Sequence, residues 1–134
     1  MSLRPDFSGR WRANLHRCEF RAPAPRSLDM LIDHTGDSLR QKILSVTHDG
    51  MDQKALFACR TDGVQGANRL NGEPLAGRAW WLDDALMIEI VFPGSGGELR
   101  LVDCWTLSND RCTLTMAHRD DALAGQTVEL ERVV

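Results

Sequence analysis

The sequence lacks any long apolar stretch. Its most apolar run, Ala85 to Phe92, is eight residues long and contains Glu89, whereas a membrane-spanning helix needs about 20 apolar residues. The sequence also lacks a basic surplus, since 16 Lys and Arg residues against 19 Asp and Glu residues give a net charge of -3. We therefore expect no membrane insertion, and no nucleic-acid partner, because phosphates require a basic face.

Secretory and metal-binding patterns are missing as well. The first ten residues contain charge but no apolar segment of a signal peptide, so we expect a cytoplasmic protein, or a periplasmic or secreted one if a leader has been removed. No CxxC pair occurs, which predicts reduced thiols at the four cysteines: Cys18, Cys59, Cys104 and Cys112. No HxH or HxxxH spacing occurs, so we predict no metal and no other cofactor from the four histidines: His16, His34, His48 and His118.

The composition that is present is that of an ordinary globular domain. Of the 134 residues, 43% are hydrophobic and 26% are charged. This length suits one domain, residues 1–134, and allows a hydrophobic core without disulfide support. The composition excludes a disordered, collagen-like or coiled-coil chain, and it leaves open a monomer or a homodimer.

Turn-forming residues recur about every 8 to 13 residues, for example at Asp49-Gly50 and Asp62-Gly63. Between the turns, apolar and polar residues alternate with a period of two, which is typical of half-buried strands. The pattern predicts an all-β, antiparallel protein with little helix. Pro23 and Pro25 predict a loop from Arg17 to Arg26. The predicted strands are 10–16, 27–35, 38–48, 53–61, 64–71, 76–82, 85–92, 98–107, 112–119 and 126–133.

Several short motifs resemble the calycin superfamily. They are Pro5-Asp6-Phe7-Ser8-Gly9-Arg10-Trp11, Thr61-Asp62-Gly63, Trp81 before an aspartate-rich turn, and Trp105-Thr106-Leu107-Ser108-Asn109-Asp110 leading into Leu114-Thr115-Met116. Their order is similar to that in small bacterial lipocalin-like proteins and, more distantly, in the intracellular fatty-acid-binding proteins. The resemblance implies a single up-and-down antiparallel barrel of eight to ten strands, which encloses a cavity for a small apolar molecule.

The sequence differs from the fatty-acid-binding proteins at the residues that bind the carboxylate of their ligand. In that family an Arg-x-Tyr on the last strand and an Arg on an earlier strand clamp the carboxylate; by register those positions fall at Val128, Leu130 and Trp105. None of these side chains can bind an anion. The chain has no tyrosine, and a proline-rich loop replaces the two lid helices. We therefore do not expect a long-chain fatty acid held by the usual clamp.

A polar pair is predicted on the inner wall of the barrel. Asp103 alternates with Leu101 and Trp105, and His118 alternates with Met116, so all five face the same side of their strands. An inward carboxylate beside an imidazole can orient a ligand, act as an acid–base pair or be structural. The predicted cavity lining, including this pair, is Phe57, Ile88, Ile90, Leu101, Asp103, Trp105, Leu114, Met116 and His118.

Three functions follow from this pattern. The first is binding of a small, mostly apolar molecule, oriented by Asp103 and His118. The second is a small acid–base enzyme for isomerisation or hydrolysis, which requires these two side chains to lie no more than one water apart. The third is a barrel filled by its own side chains that acts through its surface, and a cavity far below about 300 Å³ would favour it.

Overall fold

The computed structural model describes residues 5–20, 23–64, 66–70, 73–92, 99–118 and 126–133. These residues contain one short 3-10 helix, Leu15–Arg17, and no helix that is long and apolar enough to cross a membrane. The ten predicted strands are confirmed. They are β1 (Gly9–Ala13), β2 (Ser27–Thr35), β3 (Ser38–Val46), β4 (Asp52–Arg60), β5 (Gly66–Leu70), β6 (Glu73–Leu82), β7 (Ala85–Phe92), β8 (Leu99–Leu107), β9 (Thr113–His118) and β10 (Thr127–Arg132).

The ten strands form one antiparallel sheet that is rolled into a nearly closed barrel. Their order is β4-β3-β2-β1-β10-β9-β8-β7-β6-β5. Strands that follow each other in sequence are therefore paired, except for β4 and β5. The first strand pairs with the last, with Trp11 opposite Arg132. The two edge strands, β4 and β5, lie beside each other without a β-ladder between their described residues. The predicted all-β, up-and-down barrel is therefore confirmed.

Two strand ends differ from the prediction by more than two residues. β1 ends at Ala13, because the chain turns into the 3-10 helix. β6 begins at Glu73, within the segment predicted as a turn, and includes Pro74. Among the described residues, residues 73 to 75 pair with β5 only, since the ladder between β6 and β7 starts at Ala76. Proline is tolerated there because a strand paired on one side has free positions for a residue without an N–H group.

The alternation of the sequence separates the inside of the barrel from the outside. Met30 and Ile32 of β2 are buried, whereas Leu31 between them is exposed. The same alternation buries Phe57 and Cys59 in β4. The core of the described residues is formed by Phe7, Trp11, Met30, Ile32, Leu39, Phe57, Cys59, Ala79, Leu86, Ile88, Trp105, Leu114, Met116, Val128 and Leu130. It lies inside the barrel, as strand period two requires.

Candidate functional site

Aromatic rings fill one end of the barrel. The Phe7 ring, just before β1, stacks on His34 with a centroid distance of 5.8 Å and on Trp81 with a centroid distance of 6.0 Å. Trp105 meets Phe7 edge-on at 5.7 Å. Phe7 and Trp105 are completely or almost completely buried. We call this end the closed end, and any enclosed space for a ligand must lie toward the other end.

A cavity of about 240 Å³ lies inside the barrel away from the closed end. Its volume is slightly below the range of about 300 to 1,000 Å³ that is typical of small-molecule sites. The interior is thus filled by side chains at one end only. The wall is formed by Phe20, Leu28, Met30, Gln41, Ile43, Phe57, Ile90, Leu101, Asp103, Met116, His118, Gln126 and Val128.

Six of the nine residues expected to line the cavity lie in this wall: Phe57, Ile90, Leu101, Asp103, Met116 and His118. The other three, Ile88, Trp105 and Leu114, are buried in the core and do not belong to the wall. They face inward as expected. On its own strand, each of the three is the next inward-facing residue after a wall residue, in the direction of the closed end. At that level of the barrel, neighbouring side chains occupy the interior.

Seven wall residues lie outside the predicted lining: Phe20, Leu28, Met30, Gln41, Ile43, Gln126 and Val128. The alternation of β2 contained the signal for Leu28 and Met30, which share one face of that strand. Nothing in the sequence indicated Gln41, a polar residue at an inward position of β3. Its side chain is buried, and Nε2 donates a hydrogen bond to Sδ of Met30 at 3.1 Å.

Asp103 and His118 are direct cross-strand partners on β8 and β9. Nδ1 of His118 is hydrogen-bonded to Oδ1 of Asp103, and both side chains are mostly buried. The backbone N–H of His118 donates to the carbonyl oxygen of Gln126 at 2.9 Å, which ties the pair to the start of β10. A carboxylate at Nδ1 fixes the orientation of an imidazole, so the pair presents an ordered polar spot in an otherwise apolar wall.

A larger groove, of about 620 Å³, lies on the outer face of β2, β3 and β4. Leu31 and Leu56, which are 41% and 57% exposed, line it together with Lys42. An open outer face removes less of a ligand's apolar area from water than an enclosed cavity does. We therefore place the candidate site in the cavity inside the barrel, which is more enclosed than the groove. Among the described residues, no group of three or more His, Cys, Asp and Glu side chains is arranged to hold a metal ion.

Comparison with known proteins supports the fold. No family model matches this sequence, and no curated protein matches it. A solved structure described as a REP1-NXSQ fatty acid transporter is similar to it, with a TM-score of 0.64, 13% sequence identity and 96% of each chain covered. A likeness at this identity shows the fold alone. The chain shares with that structure the fold of an antiparallel β-barrel.

Proposed function

We propose that this protein binds a small, mostly apolar molecule inside the barrel. The observation that supports the proposal is the partly enclosed cavity of about 240 Å³, whose wall is apolar apart from Gln41, Asp103, His118 and Gln126. Burying apolar ligand surface contributes about 25 cal/mol per Å², while a few polar groups determine orientation. The similar structure described as a fatty acid transporter is in line with this function.

The cavity limits the size of the ligand. Its volume of about 240 Å³ equals that of about eight water molecules at liquid density, which suits a molecule of about ten non-hydrogen atoms. Met30 on β2 and Met116 on β9 both belong to the wall, and their flexible thioethers can adapt to the shape of a bound molecule. The proposed contacts are these two methionines together with Phe57, Ile90 and Leu101.

The two methionines also supply the test. We would label the methionine methyl groups with ¹³C and titrate the protein with 1-octanol, following the methyl resonances by NMR. Met30 and Met116 should shift together and saturate, whereas Met51, which is 62% exposed and outside the wall, should not. Shifts of equal size at Met51, or no saturable shift at Met30 and Met116, would contradict the proposal.

A cavity-filling variant gives an independent check. Val128→Phe places a larger side chain at a buried wall position and should abolish the saturable shifts. Val102→Phe makes the same change on the opposite face of the sheet, since Val102 alternates with Leu101 and Asp103, and should leave binding unchanged. Equal octanol affinity in a folded Val128→Phe protein and in the native protein would place the binding site elsewhere.

A second candidate function is acid–base catalysis on the bound molecule. The direct hydrogen bond between Asp103 and His118 in the cavity wall favours it, because a carboxylate-oriented imidazole can transfer protons. The test is hydrolysis of phenyl acetate, whose size suits the cavity, by the native protein and by His118→Gln. A rate above background that His118→Gln abolishes would support catalysis, and equal rates for the two proteins would count against it.

A further inference from the structure

Among the described residues, the polar side chains of the cavity wall include one carboxylate but no Lys or Arg. The wall contains one carboxylate, Asp103, and one imidazole, His118, which are hydrogen-bonded to each other. The other polar wall residues, Gln41 and Gln126, are uncharged. No Lys or Arg belongs to this wall within the described residues.

The basic side chains of the strands that line the cavity lie elsewhere. Those of β3, β4 and β8 occupy outward positions, and Arg100 pairs with Glu89 on the outside of the barrel at 3.6 Å. Arg132 of β10 lies at the closed end, over the Trp11 ring. The outward set in the described residues is Arg40, Lys42, Lys54, Arg60 and Arg100. A molecule inside the cavity therefore meets no Lys or Arg from these strands.

This distribution disfavours a ligand with an anionic end. A carboxylate held in the cavity would lose its hydration without gaining a Lys or Arg partner among the described residues, and it would lie near the like charge of Asp103. Nδ1 of His118 is already hydrogen-bonded to Asp103, so this nitrogen is not available to a ligand. In contrast, a hydroxyl or amine end brings hydrogen-bond donors, and the carboxylate of Asp103 has only acceptors to offer.

We propose that the ligand of this cavity ends in a hydroxyl or amine group that donates a hydrogen bond to Asp103, and that it does not end in a carboxylate. The inference rests on the proposed function and names the chemical class of its ligand. It separates this chain from proteins of the same fold that clamp a fatty-acid carboxylate with basic side chains.

Three ligands of the same chain length test the inference: 1-octanol, octylamine and octanoate, each titrated at neutral pH with the methyl resonances of Met30 and Met116 as the readout. On the native protein, octanol and octylamine should bind at least about tenfold more tightly than octanoate. The comparison of octanol with octylamine shows whether a neutral donor suffices or a cation is preferred. This part of the experiment needs no variant.

Asp103→Asn tests the role of the carboxylate, because it removes the negative charge and keeps the shape of the side chain. In this variant the preference for octanol over octanoate should fall at least about threefold, because the like charge is gone while the desolvation cost of the octanoate carboxylate remains. Asp52→Asn, at an exposed position of β4, should retain the native preference. Octanoate binding to the native protein as tightly as octanol would overturn the inference and leave the proposed function intact. If none of the three ligands shifts Met30 and Met116, the proposed function fails and the inference fails with it.

Discussion

The guanidinium of Arg132 lies 4.3 Å from the centre of the Trp11 ring, where the last strand of the barrel pairs with the first. Nη1 of Arg132 donates to the carbonyl oxygen of Ser8 at 2.8 Å, and Nε1 of Trp11 donates to that of Phe7 at 2.9 Å. One arginine thus combines a cation–π contact with a hydrogen bond to the segment that closes the barrel. The contact joins parts of the chain that are more than a hundred residues apart.

Arg132→Lys should destabilise the protein although it keeps the charge. A lysine ammonium cannot stack on Trp11 and also reach the carbonyl oxygens of Ser8 and Arg111, so we expect the free energy of unfolding to fall by about 1 to 3 kcal/mol. Arg10→Lys, at an exposed position of β1, should change it by less than about 0.5 kcal/mol. Urea denaturation of both variants measures the difference. Equal stabilities would show that Arg132 contributes charge alone.

Gly9→Ala should be more destabilising than Gly36→Ala. Both glycines have positive φ angles, +141° and +57°, which L side chains rarely adopt. A Cβ added at Gly9 would lie 2.5 Å from Nη1 of Arg132, whereas one at Gly36 would meet no atom within 4 Å. We expect a loss of about 1 kcal/mol for Gly36→Ala and at least about 2 kcal/mol for Gly9→Ala. Thermal unfolding of the two variants under the same conditions measures both losses of stability. Equal losses would disprove this order.

Trp105→Phe should cost far less than Trp105→Ala. Nε1 of Trp105 is buried and has no hydrogen-bond partner among the described residues, so replacing the indole with a phenyl ring removes an unsatisfied donor. The phenyl ring keeps much of the packing against Phe7, and we expect a change within about 1 kcal/mol. The alanine variant leaves a hole at the closed end and should lose about 3 to 5 kcal/mol. Chemical denaturation of both variants measures the two changes in the free energy of unfolding. A large decrease in Trp105→Phe would contradict the expectation that the indole N–H has no partner.

The buried thiol of Cys59 should make the protein less stable in alkali. Burial raises the pKa of Cys59 from 9.0 to about 12, so the unfolded chain loses this proton at a lower pH than the folded protein does. The contribution of Cys59 to the free energy of unfolding is therefore complete below pH 9. It is lost as the pH rises toward 12, with a slope of up to about 1.4 kcal/mol per pH unit. The chain has no tyrosine and two lysines, so apart from the three other cysteines few side chains titrate in this range.

Urea denaturation at several pH values between 8 and 11, with a reducing agent present, measures this dependence. Cys59→Ala should show a smaller loss of stability with rising pH than the native protein. Cys112→Ala is the control, because Cys112 is exposed. If native and Cys59→Ala curves run parallel, the thiol is not responsible for the alkaline loss.

Several elements could be predicted from the sequence because their signals are local. In β8, Leu101, Asp103 and Trp105 alternate with polar or smaller residues, and the turn signals on both sides limit the strand. The same reasoning placed Asp103 and His118 on adjacent strands with the same orientation, and the structure makes them direct partners. The start of β6 was missed because Pro74 normally argues against a strand, and its one-sided pairing becomes visible only when β5 and β7 are in place.

The sequence by itself determined the number of strands, their order along the chain and the side chains that face the interior, since these depend on a period of two and on turn residues. The tertiary structure decided which part of the interior is filled. Phe7 meets Trp105 and Trp81 at one end, while Phe20 contributes to the wall of the cavity near Asp103 and His118. Packing of this kind joins residues far apart in sequence, and no local pattern encodes which of two inward neighbours, such as Asp103 and Trp105, borders empty space.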